Sequence, residues 1–367
     1  MGEAPVFFIN GFSKFEHEIQ QQNHVNDQNH DSSWYEEIID EDLKWSFKLN
    51  SVLHKAISEY QDITLLDTKR FGKVNNSSSS SHKAEQKEKA ILRHLKQALV
   101  LDGKMQSAET DEFIYHECLI HPSLLCHPNP KTVFIMGGGE GSAAREALKH
   151  KSMDRIVMCD IDKEVVDFCK KYLIANREAF SNKKLDLVIN DAKAELVKRK
   201  ERFDIIVGDL ADPLEDGPCY QLYTKSFYEN TLKPKLNDNG IFVTQAGPAG
   251  IFTHKESQIT QDVLFKLKLE IFFFGTDVIA YTTHVPSFAD TWGWVMASDQ
   301  PLSICAEEMD RRIAERIDGE LLYLNGAWFH SSTTMNKTVY QSLQNETHVY
   351  TEENARFIPG HGMAFRL

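Results

Sequence analysis

One stretch of the chain, KTVFIMGGGEGSAAREALKH from Lys131 to His150, runs from a short apolar segment into glycines interrupted by one acid. Glycines allow a backbone to approach a bulky ligand closely and to turn into a helix. The spacing differs from G-x-G-x-x-G, and an acid in the loop would repel a pyrophosphate. No Walker lysine follows, which excludes a P-loop. We therefore predict a different ligand-binding turn, formed by Gly137, Gly138, Gly139, Glu140 and Gly141.

Acids also follow three later apolar runs. Asp160 ends RIVMCD, Asp191 ends LDLVIND, and Asp209 lies in FDIIVGDL. The carboxyl ends of parallel strands meet at one edge of an open sheet, where ligands bind. The first acid can accept hydrogen bonds from both ribose hydroxyls, and the turn from Asp191 to Ala192 can bind an adenine amino group. The set predicts a nucleoside site, although Asp160 or Asp191 alone could simply cap a helix.

The acid in the glycine loop indicates that the nucleoside is cationic. S-adenosylmethionine is cationic, but its carboxylate would face Glu140. Without that carboxylate the tail of the molecule ends in an ammonium group, which Glu140 attracts. The loop therefore favours decarboxylated S-adenosylmethionine and disfavours the commoner cofactor.

A second reactant is indicated by Asp209 and Asp212 in VGDLADPLEDGPCYQLYTKSFY. Transfer from a sulfonium needs a neutral nucleophile, and a primary amine with a pKa near 10.4 is only about one part in a thousand neutral at pH 7. Carboxylates bind the ammonium form but raise its pKa. One acid must therefore also accept the proton as the new bond forms. We assign that role to Asp209 and amine binding to Asp212, whose alternative role with Pro213 is a simple turn.

The elements that must position these residues alternate along the chain from Lys131 onward. Short apolar runs are separated by helix-forming stretches such as GSAAREALKH and AKAELVKRK. Near-continuous apolar strands alternating with helices predict a parallel, doubly wound α/β sheet. VIAYTTHVP and TWGWVMAS are expected to be its closing strands.

The rest of the chain divides by composition. Residues 1–33 are polar and predict a disordered tail. Residues 34–115 predict a small antiparallel β-domain with a tight hairpin at Asp102–Gly103. A serine run and a charged stretch at 75–98 predict an inserted flexible segment. Residues 116–367 are predicted to form the catalytic domain with a C-terminal extension.

Composition narrows the class of protein. The 367 residues carry a formal net charge of −13, which argues against nucleic-acid binding. The six cysteines include no C-x-x-C pair, as expected of reduced thiols. The N-terminal apolar run, VFFI, is too short for a signal peptide or a membrane span. We expect a cytoplasmic protein without a membrane or nucleic-acid partner.

Several motifs together carry a family resemblance. GGGEG, CDID, NDAKAEL, GDLADP, GPCYQLYTKSFY, YQDI and LDGKMQSAETDEFIYHE resemble the spermidine synthase family of polyamine aminopropyltransferases. The resemblance covers residues 34–365 apart from two stretches, and it is strongest to plant members that form thermospermine. It implies a small N-terminal β-domain on a Rossmann-like domain of the S-adenosylmethionine-methyltransferase type. It also implies a homo-oligomer, a dimer or a tetramer.

The resemblance implies a reaction and a set of site residues. An aminopropyl group moves from decarboxylated S-adenosylmethionine, a co-substrate, to spermidine, and methylthioadenosine is released; no further cofactor and no metal are expected. Tyr115 and Asp209 match the catalytic positions, and Asp212, Tyr115 and Phe288 the acceptor region. The matching donor positions are Gln61, Gln106, His116, Gly137, Gly138, Gly139, Glu140, Gly141, Asp160, Asp191 and Ala192.

One departure concerns the acceptor. Many spermidine synthases carry PTYPSG, whereas this chain has PSFADTW, with Phe288 at the tyrosine position. The lost hydroxyl suggests a longer acceptor than putrescine. The assignment to thermospermine comes from the resemblance, and spermine synthase and spermidine synthase remain alternatives. A methyltransferase is disfavoured by Glu140 and the paired acids. A catalytically silent polyamine-binding homologue is the alternative outside the enzymes.

Two stretches interrupt the resemblance. Residues 75–98 separate FGKV from LVLDGKMQ, and FKLKLEI within 257–279 has the period of a strand where a helix is expected. We hypothesise that one or both derive from an alternative or mispredicted transcript. Sequencing the expressed message tests this, since both stretches in the main transcript would refute it.

Overall fold

The computed structural model describes residues 34–40, 42–70, 97–212, 219–250, 277–345 and 351. The predicted tail, most of the predicted insert and the FKLKLEI stretch lie outside these residues. Within them the chain forms two sheets, one small and antiparallel and one larger and mostly parallel. The predicted fold class, a Rossmann-like α/β domain preceded by a small β-domain, is confirmed.

The N-terminal sheet is antiparallel, and its strands follow the order of the chain. The predicted hairpin is confirmed: Asp102 and Gly103 have φ angles of 48° and 77°, and Leu101 pairs with Lys104. The fourth strand begins at Gln97, so the predicted insert overlaps it by two residues. The strands are β1 (Trp34–Asp40), β2 (Leu43–Ile57), β3 (Asp62–Thr68), β4 (Gln97–Leu101) and β5 (Lys104–Ala108).

The larger sheet has the strand order β11-β12-β10-β9-β6-β7-β8 among the described residues. Strands β6 to β10 pair in parallel, and the two closing strands pair antiparallel at one edge. The strands are β6 (Thr132–Gly137), β7 (Arg155–Asp160), β8 (Leu185–Ile189), β9 (Phe203–Asp209), β10 (Leu236–Pro248), β11 (Asp277–Val285) and β12 (Asp290–Ser298).

Helices cover both faces of this sheet. The first begins at Glu112, so residues 112–115 belong to a helix although the predicted β-domain extended to 115. Met309 and Ile313 lie in a C-terminal helix that ends at Arg316. The α-helices of the described residues are α1 (Glu112–Cys126), α2 (Ser142–Leu148), α3 (Lys163–Tyr172), α4 (Arg177–Ser181), α5 (Ala192–Lys198), α6 (Lys225–Phe227), α7 (Ala306–Arg316), α8 (Gly326–Ser332) and α9 (Lys337–Asn345).

The apolar strands are buried because both faces of the sheet are covered. Along β6, Val133 and Ile135 pack into one core cluster, and Phe134 and Met136 pack into another on the opposite face. This is the alternation of side chains along a strand. It explains why the strands of this sheet are near-continuous apolar runs in the sequence.

The N-terminal sheet packs on the larger domain at two places. Ile63 and Leu65 of β3 pack with Val165 and Phe168 of α3. Phe288, in the turn between β11 and β12, packs against the cores of both domains. The small domain therefore rests against two segments that flank the strand tips.

The C-terminal region is tied to α1 by one buried acid. The carboxylate of Glu117, fully buried, accepts hydrogen bonds from the backbone N–H groups of Leu322, Tyr323 and Leu324 at 2.7, 2.9 and 3.0 Å. These bonds satisfy a charge that would otherwise be costly to bury. Within the described part of the chain, no helix is both long enough and apolar enough to span a bilayer.

Candidate active site

The strand order places the predicted site residues at one edge of the sheet. Gly137 pairs with Asp209 across β6 and β9, and Asp160 pairs with Ile189 across β7 and β8. The backbone N–H of Gly138 donates to the carbonyl oxygen of Asp209 at 3.1 Å. The glycine loop thus lies between the tips of β9 and β7.

Two glycines of the loop have steric reasons to be glycine. Gly137 has a φ of +79°, and a Cβ there would lie 2.2 Å from the carbonyl oxygen of Asp209. A Cβ on Gly139 would lie 2.6 Å from Oδ2 of Asp160. The loop is pressed against the acids of both neighbouring strands, so a side chain at either position would push them apart.

Asp160 and Asp191 have different surroundings. Asp160 accepts hydrogen bonds from the N–H groups of Gly139 and Asp162, both at 2.8 Å. Burial raises its pKa to about 6, although these two N–H groups act in the opposite direction. Asp191 caps α5 by accepting from the N–H of Ala194 at 2.7 Å, and Ala192 is the first residue of that helix. The capping role considered from sequence is realised at Asp191, whereas α3 is capped by Asp162.

Asp209 is joined to α1 by a hydrogen bond. The hydroxyl of Tyr115 donates to Oδ1 of Asp209 at 2.9 Å. Burial raises the pKa of Asp209, while His116 and the tyrosine hydroxyl oppose that rise. The carboxylate is therefore more basic than an exposed one, which suits a group that must accept a proton.

Glu140 lies against a histidine held by a second acid. Nε2 of His116 is 3.2 Å from Oε1 of Glu140, and its Nδ1 is 2.9 Å from Oε2 of Glu112. Burial alone would lower the pKa of His116, but the two carboxylates outweigh it and raise that pKa to about 9. Burial raises the pKa of Glu140, against the effect of the imidazolium. The cluster holds a negative oxygen beside the glycine loop.

Aromatic rings form the other side of the site. The ring of Tyr115 lies 5.8 Å from that of Phe288 and 5.7 Å from that of Trp294, and Phe288 lies 4.8 Å from Trp292. Asp212 accepts a hydrogen bond from Nε2 of Gln245 at 3.0 Å. We call Tyr115, Asp212, Phe288, Trp292 and Trp294 the aromatic half of the site. Its counterpart, the strand-tip half, comprises residues 137–141, Asp160, Asp191 and Asp209.

The two predicted glutamines lie in the N-terminal sheet or next to it. Nε2 of Gln61 donates to Oδ2 of Asp162 at 2.8 Å, and Asp162 in turn donates its N–H to Asp160. Nε2 of Gln106 donates to the carbonyl oxygen of Lys104 at 3.4 Å, within its own hairpin. Gln61 is thus connected to the strand tips, whereas this contact of Gln106 is local.

Sequence reasoning missed residues that hold the site together. Glu112 pairs with His116 one helical turn later, and this spacing of four could have revealed it. Arg145 donates to both oxygens of Glu112 at 2.9 and 2.8 Å, a contact without a sequence signal. Glu112, His116 and Glu140 offer three donor atoms within 4.8 Å of one another, a spacing that could also hold a metal ion. Arg145 and His116 already supply cations to these carboxylates.

The larger sheet, with its acids at the strand tips, has the Rossmann-like fold that S-adenosylmethionine methyltransferases also have. Family models sharpen this class. Residues 112–306 match the spermine/spermidine synthase domain, and residues 33–75 match the spermidine synthase tetramerisation domain. The chain belongs to the spermine/spermidine synthase family, as the sequence motifs predicted.

Individual relatives agree with this assignment. Thermospermine synthase ACAULIS5 of Arabidopsis thaliana is 62% identical over 367 residues, which is 100% of this chain and 99% of that protein. A polyamine aminopropyltransferase of Sulfurisphaera tokodaii is 38% identical over 85% of this chain and 93% of its own length. A crystal structure of spermidine synthase in complex with the transition state analogue AdoDATO is 25% identical, with a TM-score of 0.71 over 86% of this chain and 97% of that one.

Proposed function

We propose that the protein transfers an aminopropyl group from decarboxylated S-adenosylmethionine to spermidine, giving thermospermine and methylthioadenosine. The observation that carries the proposal is the position of Asp209, a partly buried acid at the tip of β9 that Tyr115 links to the aromatic half. A base is needed where the two substrates meet. The full-length similarity to a thermospermine synthase supports the choice of reaction.

The strand-tip half is proposed to bind the donor. Asp160 accepts the ribose hydroxyls, the turn at Asp191 and Ala192 binds adenine, and Glu140 attracts the ammonium group. The glycines let the backbone lie against the sulfonium nucleoside. Further donor contacts are assigned to Gln61, Gln106 and His116.

The aromatic half is proposed to bind the acceptor. Asp212 holds an ammonium of spermidine, and Tyr115 and Phe288 line its path. The neutral amine attacks the carbon next to sulfur: a nitrogen–carbon bond forms, the carbon–sulfur bond breaks, and its electron pair neutralises the sulfonium. The proton lost by the amine passes to Asp209. Burial raises the pKa of this acid, which favours that transfer.

The remaining properties follow from the same proposal. The donor is a co-substrate, so no separate cofactor is required. The match to a tetramerisation domain supports a homo-oligomer, which we propose to be a dimer or a tetramer. We propose that it acts in the cytoplasm, without a membrane or nucleic-acid partner.

An end-point assay of the purified full-length chain tests the reaction. Decarboxylated S-adenosylmethionine is mixed with spermidine and, separately, with putrescine, and the products are separated by chromatography that resolves thermospermine from spermine. Thermospermine from spermidine alone is the expected result. Spermine or spermidine would retain the mechanism and overturn the acceptor assignment. A folded protein that binds methylthioadenosine without turnover would be the silent homologue.

A further inference from the structure

Arg145 of α2 lies next to the glycine loop. All three nitrogens of its guanidinium group donate hydrogen bonds. One terminal nitrogen donates to Glu112, and the other donates to Oδ1 of Asn176 at 2.7 Å. Nε donates to Oε1 of Glu146 at 2.9 Å. Its side chain is 20% exposed, and Glu146 is buried. A planar fork with three fixed directions is a feature of arginine that lysine lacks.

One route from Arg145 leads to the side chain of Glu140. The guanidinium contacts both oxygens of Glu112, and Glu112 contacts Nδ1 of His116 at 2.9 Å. Nε2 of the same imidazole is 3.2 Å from the Glu140 carboxylate. The order of charges alternates, from guanidinium to carboxylate to imidazolium to carboxylate. Each group therefore favours the charged form of the next: the first two links are hydrogen bonds, and the last is an ion pair between the imidazole and Glu140.

A second route leads to the backbone of the same residue. Asn176 lies in the turn between α3 and α4, and the residue is 2% exposed. Its amide nitrogen donates to the carbonyl oxygen of Glu140 at 2.8 Å and to Oγ of Ser142 at 2.9 Å. The backbone of the glycine loop is thus fixed at the residue whose carboxylate the first route orients.

We propose that Arg145 is a positioning residue that sets the ammonium subsite of the donor by holding Glu140 through both routes at once. This inference rests on the proposed function, since it assumes that the donor ammonium binds at Glu140. Arg145 touches neither substrate. Its effect is confined to the ammonium end of the donor.

The affinities of two ligands, measured in the same variants, distinguish this role from a general structural one. Decarboxylated S-adenosylmethionine carries the ammonium group, whereas methylthioadenosine keeps the ribose and adenine but lacks the aminopropyl tail. Calorimetric titration of Arg145→Gln and Arg145→Lys should show affinity for the first falling by about 10- to 100-fold, because charged hydrogen bonds are lost. Affinity for the second should stay within about threefold. The lysine variant should resemble the glutamine variant, since one ammonium cannot hold both routes.

Three further variants distinguish a selective effect on the ammonium subsite from a general loss of structure. Arg155→Gln removes an arginine that is 48% exposed and paired with Asp186, and it should change neither affinity. Glu112→Gln and Asn176→Ala each break one route, so each should give part of the selective loss even if Arg145 variants fail to fold. Parallel loss of both ligands in these variants, or no loss, overturns the inference. A wild-type protein that binds neither ligand contradicts the proposed function instead.

Discussion

The two halves of the site are built in different ways. In the strand-tip half, Asp160 and Asp209 end strands of one sheet on either side of β6, and backbone N–H groups hold the loop between them. In the aromatic half, Tyr115 comes from a helix and Phe288 from the turn between the paired edge strands β11 and β12. The first half is fixed by sheet pairing, the second by the packing of separate segments. We therefore expect that substitutions in the proposed acceptor half can change its shape with little effect on the proposed donor half.

A hydrogen bond from Tyr115 to Asp209 joins the halves, and Asp209 is the proposed base, so Asp209→Asn should have the largest effect. Asparagine can still accept that bond but cannot take a proton. We expect kcat to fall by about a thousandfold, with methylthioadenosine affinity nearly unchanged. Single-turnover release of methylthioadenosine measures the first, and calorimetry the second. Asp299→Asn, which removes a surface acid paired with Lys233, is the matched control. A loss of less than tenfold would remove Asp209 from its proposed role.

The substitution Glu140→Gln tests whether the strand-tip half selects the decarboxylated donor. The neutral amide neither attracts the donor ammonium nor repels the carboxylate of S-adenosylmethionine. The ratio of the two affinities should therefore move by about 10- to 100-fold toward S-adenosylmethionine. Competition binding with both compounds gives the ratio. Glu178→Gln, at an exposed position on α4, serves as the control. An unchanged ratio would refute the selective role of Glu140.

The pH dependence of nucleoside binding tests Asp160. Its pKa is raised to about 6 by burial, and ribose hydroxyls that donate to the carboxylate favour the ionised form. Affinity for methylthioadenosine should be full well above pH 6, decline as the pH falls through about 6, and drop by up to about tenfold per pH unit below that. Calorimetry across this range measures the slope, and Asp160→Asn should remove it. A slope that persists in the variant would assign the titration to another group.

Phe288→Tyr should have the smallest effect and should act only on the aromatic half. It adds the hydroxyl of the PTYPSG stretch at a position packed against Tyr115 and Trp292. We expect the ratio of kcat/KM for putrescine to that for spermidine to rise by a few-fold, about threefold to tenfold. Donor affinity should not change. Equal changes with both acceptors would mean that Phe288 supports packing and does not select the acceptor.

The difference between sheet pairing and packing also explains which site residues could be predicted from the sequence. Strand tips of a parallel sheet converge by topology, so the glycine loop, Asp160 and Asp209 can be grouped from the order of the apolar runs alone. Arg145 and Asn176 escape such a prediction because they lie on different elements and their contacts depend on how those elements pack, whereas Glu112 is revealed only by its spacing of four from His116. The helical first turn at Glu112 falls inside the predicted β-domain, since DEFIYHE carries no strong local boundary signal.

The three hydrogen bonds to Glu117 determine when, during synthesis of the chain, α1 can be buried. This acid lies on α1 directly after His116, and its first donor, Leu322, follows 205 residues later. During synthesis the helix that carries Tyr115 and His116 leaves the ribosome long before its buried charge can be satisfied. A nascent or shortened chain that ends before Leu322 keeps a carboxylate that must remain in contact with water. Burial of this helix therefore depends on a segment that is synthesised about 205 residues later.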